Sequence, residues 1–366
     1  MKIAILGAGV MGRTVIEHLK ESPIVTDIVA YDTSAESLEE TRRKCGVEGS
    51  QSLDEILGDP KRKLVFVTAA NGAHKDLAMA SLRAGKSVMC EKPMATSLED
   101  ASVMADEVEA LNGFLQIGFE LRYSRLYTTV KKWIDEGKLG EVRNIQCNYI
   151  CSEFWGRDSW RTKLAAGGSM FGEKLSHYVD LPRWWVRSPV KEVYALSSPN
   201  VVSYYEVRDN YQASCKFDNG AVSHLTFFMP FSSTSLGDPL LDLLDQQKED
   251  GHELRYLVMG TEGAVETNVF GRTIKRWAYR ETSEGFHAEI VERGAWKPEE
   301  DHFYFHNTHD QALDIVRRVQ EGLPPSISAR DALETMKVCE AADLSVEQGR
   351  AIEMKEILPN NPPKRA

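Results

Sequence analysis

The segment Gly167-Gly168-Ser169-Met170-Phe171-Gly172-Glu173-Lys174-Leu175-Ser176-His177-Tyr178-Val179-Asp180 sets an imidazole between two carboxylates. With Ser169 as the N-cap of a helix, Glu173, His177 and Asp180 stand at i, i+4 and i+7 and share one face. A carboxylate one turn from an imidazole can hold the ring and stabilise the imidazolium that forms when it accepts a proton, which a general base requires. A second segment, Cys90-Glu91-Lys92-Pro93-Met94, offers an ammonium at the end of an apolar run, where it could stabilise a developing alkoxide. A third, Ile3-Ala4-Ile5-Leu6-Gly7-Ala8-Gly9-Val10-Met11-Gly12, is a strand running into GxGxxG and then a helix. There Gly7 permits a tight turn, Gly9 lets the backbone approach a pyrophosphate, and Gly12 lets the helix pack closely on the strand. Phosphates would sit on the unpaired N–H groups of the helix N-terminus, and Ala8, Val10 and Met11 are read with the glycines as cofactor contacts. Asp32, about 20 residues on at the end of Ile28-Val29-Ala30-Tyr31, can accept both ribose hydroxyls and would repel a 2′-phosphate. Thr33 follows it rather than Arg or Lys, so NAD is expected over NADP.

These groups need elements to position them. Ile3–Leu6, Ile28–Tyr31, Leu64–Val67, Ser87–Cys90 and Phe114–Ile117 read as parallel strands, alternating with helical spacing over Met11–Lys20, Ala35–Cys45, His74–Ala84 and Leu98–Leu111. An open α/β sheet delivers the loops at the C-terminal ends of its strands to the ligand crevice. This places Lys92 there, and Glu91, Thr68, Asn71 and His74 are read with it as cofactor contacts. From about Tyr123 the texture changes to one helix, Leu126–Glu136, and a β-rich string from Arg143 to Ala278, closed by helices around His309–Gln320 and Arg330–Gln348. The expected fold is α/β plus α+β: a Rossmann doubly wound parallel sheet over 1–122 and an open, mainly antiparallel sheet flanked by helices over 123–358. Residues 359–366 read as a flexible tail.

The 366 residues are 42 % hydrophobic, and 44 Lys+Arg against 55 Asp+Glu leave a net charge of −11. That balance, without a long basic run, argues against nucleic acid or an anionic membrane as partner. No stretch approaches the ~18 to 20 apolar residues of a membrane span. Ile3–Leu6 is too short for a signal peptide, so a cytoplasmic protein is expected. The six cysteines show no CxxC pair and are expected as free thiols. His302, His306 and His309 share a helical spacing, but no acid or Cys partner is fixed by the pattern, so no metal is expected.

Taken together, the GxGxxG, Glu91-Lys92-Pro93, Gly118-Phe119-Glu120-Leu121-Arg122-Tyr123, Trp160-Arg161 and the glycine pair leading to His177-x-x-Asp180 resemble the Gfo/Idh/MocA family over nearly the whole chain. The resemblance implies NAD-dependent oxidation of a sugar, inositol or related polyol by a homo-oligomer, a dimer or tetramer. In it Lys92 orients the reacting hydroxyl and contacts the cofactor, His177 accepts the proton, and Glu173 stands where most members have Asp. Glu120, Arg122, Tyr123, Trp155, Arg157, Trp160 and Arg161 would suit a sugar-sized ligand, because aromatic faces stack on C–H surfaces and Arg donates to hydroxyl or anionic groups. Two rival readings stand beside this one. The first is a glycosidase that uses NAD transiently for oxidation, elimination and re-reduction, and the second is an NAD-binding sensor or scaffold without activity.

Overall fold

The structure, a computed structural model, describes residues 1–233 and 244–358, which form two compact units. The first comprises Met1–Glu120 and Asn307–Met336, the second Leu121–His306 and Lys337 onward.

In the first unit, β1 (Lys2–Leu6), β2 (Asp27–Tyr31), β3 (Gly49–Ser50), β4 (Arg62–Val67), β5 (Ser87–Glu91) and β6 (Leu115–Gly118) make a parallel sheet ordered β3-β2-β1-β4-β5-β6. Helices cover both faces of such a sheet, so its central strands read as unbroken apolar runs. Accordingly Ile3 to Leu6 and Leu64 to Val67 are wholly buried. Ser34, Ser52 and Ser97 start the helices Ala35–Cys45, Leu53–Gly58 and Leu98–Ala110, each accepting the N–H three residues on.

This unit is not one run of sequence, in contrast to the expected division at residue 122. The helix Thr308–Glu321 carries an apolar stripe, Ala312, Ile315 and Val316, that joins the core formed by Val15, Ile16 and Leu19 of the helix Val10–Lys20. That burial returns the chain to the first unit after some 200 residues away from it. At the same seam His18 Nε2 meets Thr308 Oγ1 at 3.0 Å and His309 pairs with Glu21 at 2.9 Å.

Among the described residues the second unit holds nine strands: β7 (Val142–Ile150), β8 (Val190–Leu196), β9 (Asn210–Phe217), β10 (Val222–Phe228), β11 (Glu253–Gly260), β12 (Gly263–Asn268), β13 (Thr273–Thr282), β14 (Gly285–Ala295) and β15 (Ile352–Glu353). They run β14-β13-β12-β11-β7-β10-β9-β8-β15, antiparallel except for the β7–β10 pair. One face is buried and the other open, which gives alternating burial along β9, β10 and β11. On the buried face Tyr149 lies 4.7 Å from Tyr178 and Tyr256 lies 5.0 Å from Trp185, measured between ring centroids, so the helix Ser176–Val186 is seated on the sheet by aromatic edges. The hydroxyl of Tyr256 also donates to the Tyr178 carbonyl at 3.0 Å.

β14, unread in the sequence, pairs among the described residues only with β13 and is exposed along most of its length. Among the described residues no helix is long and apolar enough to cross a membrane.

Replacing Ile315, fully buried, by Ala should lower unfolding stability by about 2–5 kcal/mol in urea titrations, the usual cost of such a cavity. A loss under about 0.5 kcal/mol would mean that the returning helix does not belong to this core.

Candidate active site

At the C-terminal end of β1 the backbone turns through Gly7 at φ +113°, where a Cβ would come within 2.5 Å of the Ala69 nitrogen. A Cβ on Gly12 would sit 2.0 Å from the Gly7 carbonyl oxygen, so both positions exclude any side chain. Thr68 secures the turn from the neighbouring strand, its hydroxyl donating to the Gly7 carbonyl at 2.8 Å. The helix Val10–Lys20 starts without a side-chain cap at Gly9, a Cβ on Gly9 would meet nothing within 4 Å, and Val10 is 76 % exposed, so the loop before the helix is open. Asp32 stands at the end of β2, one oxygen accepting the Ala8 N–H at 2.8 Å and the other the Ser34 N–H at 2.9 Å. An open glycine loop at a helix N-terminus, with a fixed carboxylate beside it, fits a dinucleotide whose pyrophosphate and ribose those groups recognise.

β5 ends at Glu91, and Lys92 follows it half-buried. The loop after Lys92 is held by His74, whose Nδ1 lies 2.7 Å from the Pro93 carbonyl and whose Nε2 lies 3.0 Å from the Ala69 carbonyl. His74 is almost fully buried and Thr68 and Asn71 nearly so. Thr68 and His74 thus hold the two loops that bracket the glycine turn and Lys92.

In the second unit the expected α-helix from Ser169 begins differently. Phe171–Leu175 form a π-helical turn, and the regular helix runs from Ser176 to Val186. Ser169 still caps the start, with its hydroxyl accepting the Gly172 N–H and its carbonyl accepting the Glu173 N–H. Such turns recur at functional sites because they reset which side chains share a face. Here the Glu173 carboxylate accepts from Arg161 Nε at 2.8 Å. His177 is 2 % exposed, with its ring centroid 6.4 Å from that of His306. Asp180 accepts from both Nε and Nη2 of Arg122 at 2.7 Å, and the pair is buried. Through two of its donors Arg122 is thus tied to the helix that carries His177.

Of the remaining expected ligand residues, Trp155 is half-buried and stacks on Tyr205, which exchanges hydrogen bonds with the Trp155 backbone. Burial pushes the Tyr205 phenol up, which keeps it a neutral donor. Arg157 is exposed, its guanidinium 4.2 Å above the Tyr204 ring, and Arg161 lies 4.5 Å over Trp160. Glu120 is buried and Tyr123 half-buried on the turn Glu120–Tyr123. Lys174 is buried and lies 5.1 Å over Phe154, and His306 is an addition that sequence spacing did not single out for this site. A separate cavity of about 760 Å³, lined by Asn200, Arg208, Asp343 and Glu347 among others, contains none of the candidate catalytic residues. Among the described residues no group of three His, Cys, Asp or Glu is placed to hold a metal.

The chain resembles known proteins along most of its length. A family model described as the oxidoreductase family with an NAD-binding Rossmann fold matches residues 1–119, and one described as the GFO/IDH/MocA C-terminal domain matches 127–266. Myo-inositol 2-dehydrogenase of Thermotoga maritima is 25 % identical over 98 % of this chain and 100 % of its own. Glucose-6-phosphate 3-dehydrogenase of Bacillus subtilis is 31 % identical over 49 % of this chain and 52 % of its own. Among solved structures, levoglucosan dehydrogenase in complex with NADH superposes with a TM-score of 0.79 at 21 % identity, over 97 % of this chain and 99 % of that one.

Two outcomes test the site. Asp32→Ala should weaken NAD binding at least about tenfold in calorimetric titration while leaving NADP binding unchanged or improved, because the ribose acceptor and the charge opposing a 2′-phosphate go together. Arg122→Met should destabilise the fold by about 3–5 kcal/mol in denaturant titration, since it removes the two-armed partner of a buried carboxylate, to which Arg183 comes no closer than 3.8 Å.

Proposed function

The chain belongs to the Gfo/Idh/MocA oxidoreductase family, and from that premise we propose that it oxidises a secondary hydroxyl of a sugar, inositol or related polyol with NAD. The observation that carries this reading is His177, an almost fully buried imidazole on a helix pinned by the Asp180–Arg122 pair. A group so held is pre-organised to take one proton from one place.

Bound NAD supplies the hydride acceptor, held by the Gly7–Gly12 loop and by Asp32. In our reading His177 removes the hydroxyl proton. The Lys92 ammonium donates to the same oxygen and stabilises the alkoxide charge that develops on it. Glu173 acts through Arg161, fixing the guanidinium at Nε so that its remaining donors are aimed at ligand hydroxyls. Trp155, Trp160 and Tyr123 supply faces for a ring, and Arg157 and Glu120 supply further polar contacts. The names of the relatives support a polyol-sized substrate, since they include an inositol and two sugar dehydrogenases. The exposed Tyr194, Leu196, Leu257 and Met259 on the open face of the sheet support self-association, and the six free, buried thiols suit a reducing cytoplasm.

Purified protein given NAD and a panel of inositols, free sugars and glycosides should form stoichiometric NADH with a polyol or sugar. Aglycone release without NADH would instead mark the transient-oxidation glycosidase, and NAD binding without either product would mark a sensor. With the responding substrate, His177→Ala should lower turnover by about 10² to 10⁴, the usual worth of a general base. Unchanged turnover would remove His177 from this role.

A further inference from the structure

A buried base that accepts a proton in every turnover must also lose it in every turnover. His177 is 2 % exposed, so bulk water does not reach it freely. The group that stands next to it is a second imidazole, His306, whose ring centroid is 6.4 Å away at an interplanar angle of 48° and which is only partly buried. One bridging water covers such a gap, since two successive hydrogen bonds span about 5.5 Å between heavy atoms.

The placing of His306 is heavily constrained. It comes just after a helix of one turn, Asp301–Tyr304, too short to be stable alone. That turn is tied down at each end. Asp301 accepts from Arg272 Nε and Nη2 at 2.7 and 2.8 Å, and both partners are buried. The Tyr304 hydroxyl donates to the carbonyls of Asn268 and Val269, and its own carbonyl accepts from Ser124 Oγ at 2.7 Å. Phe305 then packs edge-on against Tyr127. A buried ion pair, a buried phenol and an aromatic contact converge on six residues whose last member is His306. By contrast His309, at the same helical spacing, pairs with Glu21 and Asp310 and has no part in this cluster.

We propose that His306 is the proton relay of His177, an inference that rests on His177 serving as the base in the proposed oxidation. The hydroxyl proton passes to a ring nitrogen of His177 as the carbinol C–H electron pair leaves as hydride, so the alcohol becomes a carbonyl and His177 becomes an imidazolium. That imidazolium gives its proton, directly or through one water, to a ring nitrogen of His306. His306 is partly buried with its Nε2 covered, so it releases the proton to solvent from Nδ1, leaving both rings neutral for the next substrate. Imidazole suits the task because it can accept at one nitrogen and donate from the other near neutral pH.

The test separates relay from packing by two readouts. In ligand-free protein with ¹⁵N-labelled histidine, exchange of the His177 ring N–H with water should slow at least about tenfold in His306→Gln, which keeps size and polarity but cannot carry a proton. In rapid-mixing kinetics with NAD and the responding substrate, His306→Gln should give a first turnover of NADH at the wild-type rate and then a steady state slower by a similar factor. His306→Ala should show the same split, with added imidazole restoring the steady state in proportion to its concentration. Wild-type exchange and turnover in His306→Gln would overturn the relay. So would an equal loss of first and later turnovers that imidazole does not relieve, which is the mark of a merely structural residue. If the wild-type protein makes no NADH on any substrate, the dehydrogenase reading fails, and the exchange measurement still decides whether the two rings share a proton.

Discussion

The second unit depends on one buried ion pair. Arg122, at the start of that unit, reaches Asp180 on the helix Ser176–Val186 with both arms of its fork, in a setting where neither charge meets much water. Taking two charges out of water is costly, and only near-ideal geometry with several hydrogen bonds offsets it, so a pair like this tolerates few alternative placements of the helix. Aromatic edges from Tyr149 and Tyr256 fill the space beneath, and the π-turn at Phe171–Leu175 then decides the direction in which Glu173 points. The aim of His177 results from these constraints together.

The first unit was legible in the sequence almost element by element, because each element there obeys local rules. Parallel strands covered on both faces read as apolar runs, serine caps announce three of the helices, and GxGxxG with Asp32 carries a steric and electrostatic logic that the structure retains at Gly7, Gly12 and Ala8. The central strands of the second unit were also legible from their alternation. β14 was not, since a strand exposed on nearly every residue and paired along one edge has no apolar rhythm to betray it.

The site was legible in its residue types and less so in its contacts. Spacing put Glu173, His177 and Asp180 on one helical face, an inference that holds only for an unbroken α-helix. The wider π-turn before Ser176 breaks that assumption, and the partners Arg161 and Arg122 come from segments remote in sequence. No local pattern reports that Glu173 holds an arginine or that His74 clamps the carbonyl of Pro93. Likewise His306 owes its place to Arg272, Asn268 and Ser124, none of which is near it in the chain.

The first unit is built from two pieces of chain, Met1–Glu120 and Asn307–Met336, with Leu121–His306 of the second unit between them and Lys337 onward after them. The nucleotide-binding half is therefore not a portable gene segment. A recombination event that moved residues 1–120 alone would carry the glycine loop and Asp32 but would leave Val15, Ile16 and Leu19 without the stripe of Ala312, Ile315 and Val316 that completes their core.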